Sequence, residues 1–156
     1  MKQEIERKFL VTGDSWRKDA GAGISCRQGY MTDGPSPVTV RVRLLGEQGF
    51  LTIKGPTQGV SRAEMEYEIP AADAEYMLAH LCSGGLVSKV RHILIRNGSR
   101  WEIDEFSGAN QGLIVAEVEL EREDQTFEKP AWLGEEVSLD RRYTNAALAR
   151  HPFTQW

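Results

Sequence analysis

At 156 residues the chain has the length of one domain, enough to bury roughly two-thirds of the surface its unfolded form would expose. A formal net charge of −4 argues against nucleic acid as a partner, and no apolar run approaches the ~20 residues of a membrane helix. Glu4 and Glu6 stand where a secretory leader would be apolar, and Cys26 and Cys82 lack C-x-x-C spacing. Both features point to a cytoplasmic protein with reduced thiols and no membrane partner.

The first element is the strand around Glu4–Leu10. Successive side chains on a strand point to opposite faces, so Glu4, Glu6 and Lys8 share one face and Ile5 and Phe9 the other. Thr12–Gly23 reads as a connection with a helical turn at Ser15–Lys18, and Ile24–Met31 as a strand containing Gln28-Gly29-Tyr30. A cluster of turn residues at Thr32–Pro37 precedes the cleanest alternation, Val38–Leu44, which puts Thr39, Arg41 and Arg43 opposite Val38, Val40, Val42 and Leu44. Phe50–Lys54 places Thr52 and Lys54 together, and Arg62–Ile69 places Arg62, Glu64, Glu66 and Glu68 together.

Pro70 introduces a helix over Ala71–Cys82, whose stripe is Ala74, Met77, Leu78, Leu81 and Cys82; Ser83-Gly84-Gly85 is read as its stop. Strands resume at Val87–Arg96, with Lys89 and Arg91 on one face. Asn97-Gly98 signals a hairpin into Trp101–Phe106, where Glu102 and Asp104 share a face. Leu113–Glu121 carries Glu117, Glu119 and Glu121 on one side. A short helical segment is expected at Asp124–Lys129. Trp132 and Gly134–Val137 are expected to pack against a last helix over about 140–150, with Asp140 as its N-cap. About eight strands joined mostly by short turns favour an antiparallel α+β fold over parallel winding.

The polar faces sort by sign. Lys8, Arg41, Arg43, Lys54, Arg62, Lys89 and Arg91 form one set; Glu4, Glu6, Glu64, Asp104, Glu117 and Glu119 lead the other. A merely solvated sheet face mixes Ser, Thr, Gln and Lys, and like charges opposite one another on neighbouring strands are destabilising unless neutralised. If the sheet closes, a metal–polyphosphate complex satisfies both sets. Arginine forks match phosphate oxygens, and Mg²⁺ binds through one or two carboxylates plus waters and phosphates.

These motifs resemble the CYTH domain, also called the triphosphate tunnel metalloenzyme family. The E-x-E-x-K start is matched by Glu4, Glu6 and Lys8, the Gln-Gly-Tyr by Gln28-Gly29-Tyr30, the R-x-R by Arg41 and Arg43, and the T-x-K-G by Thr52–Gly55. The acidic strand R-x-E-x-E is matched at Arg62–Glu66, the K-x-R by Lys89 and Arg91, and the late E-x-E by Glu117 and Glu119. Asp140–Asn145 matches a D-x-R-Y-x-N element with one residue of leeway.

The resemblance implies one CYTH domain over 1–156, built as an eight-stranded antiparallel β-barrel, a tunnel with a charged interior and a few flanking helices. It is most similar to the short bacterial inorganic triphosphatases, which implies metal-dependent hydrolysis of tripolyphosphate to pyrophosphate and phosphate. Lys8, Arg41, Arg43, Lys54, Arg62 and Arg91 would bind phosphate. Glu4, Glu6, Glu117 and Glu119, then Glu64 and Asp104, would hold Mg²⁺ or Mn²⁺, with two ions per site. Lys8 and Lys89 are the candidates for acid–base work or for positioning the water, and Tyr30 for substrate contact.

The partner is a small-molecule triphosphate, and the protein itself a monomer or homodimer. Nucleoside or thiamine triphosphates, or a class IV adenylyl cyclase reaction, are alternatives on the same fold. The H-F motif of the cyclase and thiamine triphosphatase branches is not evident. A non-catalytic polyphosphate- or nucleotide-binding module is the other alternative.

Overall fold

The computed structural model describes residues 1–156. Nine strands run β1 Lys2–Val11, β2 Ile24–Tyr30, β3 Thr39–Leu45, β4 Gln48–Lys54, β5 Ser61–Ile69, β6 Ser83–Arg96, β7 Ser99–Phe106, β8 Ile114–Glu119 and β9 Leu133–Glu136. Helix α1 is Ala71–His80 and α2 is Asn145–Arg150. The order β5-β4-β3-β2-β6-β7-β8-β1 closes through a β5–β1 pairing, so eight antiparallel strands form a barrel. Closure leaves β1 shared along its length. Lys2–Ile5 pair with β5, Glu6–Leu10 pair with β8, and β9 joins β1 at Phe9 and Val11 after β5 has ended.

The barrel turns its charged faces inward and most of its apolar faces outward, so the outside must be covered. Helix α1 lays Ala74 and Leu78 over Val42 of β3, with Leu44, Leu51 and Ile69 around them. Gly49 permits this approach, because a Cβ there would lie 2.8 Å from the Ile69 carbonyl and 2.9 Å from Ala74 Cβ. On the opposite wall Phe9, Leu94, Trp101, Ile103, Ala116 and Val118 are buried with Trp16 and Trp132. Trp101 and Phe127 meet edge to face at 5.7 Å, and burial of side chains this size contributes about 1.5–3 kcal/mol each.

A third apolar group lies at one end of the barrel. Tyr30, Val87, Phe106 and Val115 pack there against Leu148 and Ala149, so α2 covers that end. The seat of α2 depends on Gly85, where a Cβ would come within 2.8 Å of the Ala149 carbonyl oxygen.

Several local expectations are corrected. Helix α1 ends at His80, and Leu81 is half exposed rather than part of its stripe. Ser83-Gly84-Gly85 opens β6 instead of lying outside it, because Tyr30 and Ser83 pair across β2–β6. No helix forms over 124–129; the extended chain lets Phe127 reach Phe9 and Trp101. Trp132 packs in the Trp101 core rather than on the last helix, and Leu133–Glu136 is the ninth strand. The last helix begins at Asn145: Thr144 accepts from the Ala147 amide as its cap, whereas Asp140 caps only a short turn at Arg141–Tyr143. The turn at Ser15–Lys18 is as expected.

Candidate active site in the barrel lumen

Strand alternation builds the lumen. Registers Glu4↔Arg62, Lys8↔Glu117, Lys54↔Glu64, Gln28↔Arg43, Tyr30↔Arg41 and Arg91↔Asp104 put these side chains on the same, inner face. Buried in it are Lys8, Arg41, Arg43, Lys54, Lys89, Arg91, Asp104 and Glu117, an unusual concentration of ionised groups for a protein interior.

Along β6, β7 and β8, Lys89 donates to Asp104 at 2.5 Å and Arg91 forks onto both Asp104 oxygens at 2.8 Å. Arg91 also meets Glu102 at 2.5 Å, and Lys8 meets Glu117 at 3.1 Å. Along β3, β4 and β5, Arg41 and Arg43 each reach Glu66 at 3.2 Å, and Thr52 donates to the same carboxylate at 2.7 Å. Lys54 joins Glu4 at 2.7 Å and Glu64 at 2.9 Å, with Arg62 on Glu4 at 3.4 Å.

The structure thus gathers nearly every predicted site residue in one lumen. Glu119 is the exception: it is exposed at the rim, paired with Lys2 at 2.6 Å. Tyr30 lies at the apolar end, its hydroxyl accepting from Gln28 at 2.9 Å. Glu66 and Glu102 had no assigned role, although the alternation places both on the inner face. Asn145 had none either, and its contact with Lys89 spans 56 positions, a distance that no local pattern reports.

Two features mark the lumen as built for a ligand. The Nε atoms of Arg41 and Arg43 are buried donors without an acceptor, which an anion would satisfy. Burial together with the neighbouring Arg41 and Arg91 holds the Arg43 guanidinium below its ordinary range. On the acidic side, Glu6 has neither an ion pair nor a side-chain hydrogen bond, unlike Glu4, Glu64 and Glu117. Burial, then Glu117 and Glu4, push its carboxyl up to about 8. Glu117 is buried too, and desolvation pushes it up, but Lys8, Arg91 and Lys89 together hold it down at about 2.

The all-carboxylate donor set fits a hard divalent cation. No three acidic side chains are drawn together as a ready-made cage, and Mg²⁺ needs none, since it binds through one or two carboxylates, waters and substrate oxygens. An outer depression of about 580 Å³ beside Arg7, Glu136 and Leu139 holds none of the lumen cations.

The CYTH domain matches residues 2–147. The chain belongs to the CYTH domain family. It is 44% identical over 153 residues to the inorganic triphosphatase of Acetivibrio thermocellus, covering 98% of this chain and 97% of that one. It is 39% identical over 149 residues to the inorganic triphosphatase of Nitrosomonas europaea, covering 94% and 96%. The crystal structure of the inorganic triphosphatase NE1496 superposes with a TM-score of 0.68 at 36% identity, covering 96% of this chain and 95% of that one. The CYTH fold accounts for the closed eight-stranded barrel, to which β9 is added.

Proposed function

We propose that this protein hydrolyses inorganic tripolyphosphate to pyrophosphate and phosphate inside the barrel, with Mg²⁺ or Mn²⁺. The observation that carries the reading is the lumen itself: buried arginine donors without acceptors share its inner face with Glu6, a carboxylate in no ion pair. A linear polyanion with its metal satisfies both at once. Two relatives named inorganic triphosphatase, each matching over nearly the whole chain, support the same substrate.

In this reading Arg41, Arg43, Lys54, Arg62 and Arg91 hold phosphate oxygens, with Lys8 beside them. Carboxylates Glu4, Glu6 and Glu64, and Glu117 with Glu119, would hold the ions, two per site. When bound, a divalent cation neutralises charge on phosphate oxygens and acidifies a coordinated water. Asp104 stands behind these as a metal ligand, and its two oxygens also order Lys89 and Arg91.

A water oxygen attacks the terminal phosphorus and gives up a proton to solvent or a phosphate oxygen, the bond to the bridging oxygen breaks, and the pyrophosphate departs with the electron pair, on which it accepts a proton. Lys89 is the proton donor of choice. Burial outweighs Asp104 and brings its ammonium below the ordinary range, whereas Glu117 and Glu6 outweigh burial and hold Lys8 above it. Opposed shifts of this kind separate acid–base roles from plain binding.

The test is ³¹P NMR of tripolyphosphate incubated with the protein. Equal amounts of pyrophosphate and phosphate, formed with Mg²⁺ or Mn²⁺ and abolished by EDTA, are expected. Tight tripolyphosphate binding without product under either metal would make the barrel a binding module.

A further inference from the structure

Asn145 touches none of the strands that build the lumen through the backbone, yet its side chain enters the site. It is the first residue of α2, and its Oδ1 accepts from Lys89 Nζ at 3.1 Å. An ammonium has only donors, so the amide must present its oxygen there.

Lys89 then has two fixed acceptors, Asp104 at 2.5 Å and Asn145 at 3.1 Å. Tetrahedral geometry fixes its third N–H, which has no protein acceptor. A single carboxylate would leave the ammonium free to turn about the Lys89–Asp104 axis. The second acceptor is neutral, so it adds direction without a further negative charge to hold the proton back. The neighbouring Tyr143 carbonyl treats Lys8 in the same way, at 3.2 Å.

The seat of Asn145 is itself fixed from several sides. Thr144 caps α2 through the Ala147 amide at 3.2 Å. Leu148 and Ala149 pack against the apolar end of the barrel. Buried Asn110 ties the segment down by donating to the Leu148 carbonyl at 3.4 Å and accepting from the Phe153 amide at 2.8 Å.

We infer that Asn145 is a positioning residue for tripolyphosphate cleavage: held by α2, it aims the free N–H of Lys89 at the substrate. This rests on the proton-donor reading of Lys89. Misaimed catalytic groups lower the rate of the chemical step with little change in ground-state binding.

The experiment measures kcat and KM for tripolyphosphate with saturating Mg²⁺, and thermal midpoints, for Asn145→Leu, Asn145→Asp and Lys89→Met. Asn145→Leu keeps the shape and removes the oxygen. It is expected to lower kcat about tenfold or more, with KM within about twofold and an unchanged midpoint. Asn145→Asp, which restores an acceptor but adds a negative charge that holds the proton on Lys89, should recover only part of kcat. Wild-type kcat in Asn145→Leu, while Lys89→Met has lost it, would overturn the inference and leave the Lys89 reading standing. So would a loss in Asn145→Leu that follows a fallen midpoint and that Asn145→Asp fails to recover. Wild-type kcat in Lys89→Met would instead remove the reading beneath it, and Asn145's role with it.

Discussion

Glu6 lies directly opposite Glu119 across the β1–β8 ladder, and only one of the two is neutralised. Lys2 serves Glu119 at 2.6 Å; nothing serves Glu6, the more enclosed of the pair. Facing like charges cost stability, so a sequence that keeps Glu6 retains a charge that is unfavourable until a cation arrives.

Glu6→Gln should therefore make the metal-free protein more stable and inactive. At pH 9, where wild-type Glu6 is ionised, the gain is expected to be roughly 1–3 kcal/mol in urea unfolding. Isothermal titration with Mn²⁺ or Mg²⁺ should show weakened binding in the same variant.

The pH dependence has a definite sign. An unfolded carboxylate ionises near 4.5, whereas folded Glu6 keeps its proton to about 8. Between those values the folded state binds more protons, so its stability falls as pH rises and levels off above about 8. Thermal midpoints of metal-free wild type should decline from pH 5 to 8. Glu6→Gln, or saturating Mg²⁺, should flatten that decline, and Mg²⁺ binding near pH 7 should release protons to the buffer.

Asp104 and Arg43 are both buried lumen charges with opposite expected costs. Asp104→Ala leaves Lys89 and Arg91 buried side by side without their shared partner, at a cost of roughly 3–5 kcal/mol. Arg43→Ala removes a cation already disfavoured by burial and by Arg41 and Arg91, and Glu66 keeps Arg41 and Thr52. Its midpoint should stay near wild type while KM for tripolyphosphate rises about tenfold or more. Chemical denaturation and steady-state kinetics on the pair check both halves.

Gly85→Ala tests the closure of the apolar end. The added methyl meets a backbone oxygen at 2.8 Å, and overpacking of this kind costs about 1–3 kcal/mol. Because α2 carries Asn145, kcat should fall along with the midpoint.

The lumen was legible in the sequence because strand alternation has a period of two residues and the inward residues are charged. Glu4, Glu6, Lys8, Arg41, Arg43, Lys54, Lys89, Arg91 and Glu117 could all be assigned to one face from neighbouring residues alone. Closure was not visible in any strand. It rests on Lys2–Ile5 pairing with Ala63, Glu64 and their neighbours some 60 positions away, and only the family resemblance anticipated it.

Leu133–Glu136 escaped notice because a glycine and two glutamates carry little strand propensity; the free edge of β1 makes it a strand. Phe127 misled in the other direction, since tertiary burial against Trp101 overrode the local helical reading.

The charged lumen is expected to cleave tripolyphosphate in preference to other triphosphates. This expectation is tested most directly by kcat/KM for tripolyphosphate, ATP and thiamine triphosphate, measured side by side with Mg²⁺ or Mn²⁺ and repeated in EDTA. Fast, EDTA-sensitive release of phosphate from tripolyphosphate is expected, with little from the other two. Equal or faster turnover of ATP or thiamine triphosphate, or tripolyphosphate cleavage that persists in EDTA, would contradict it.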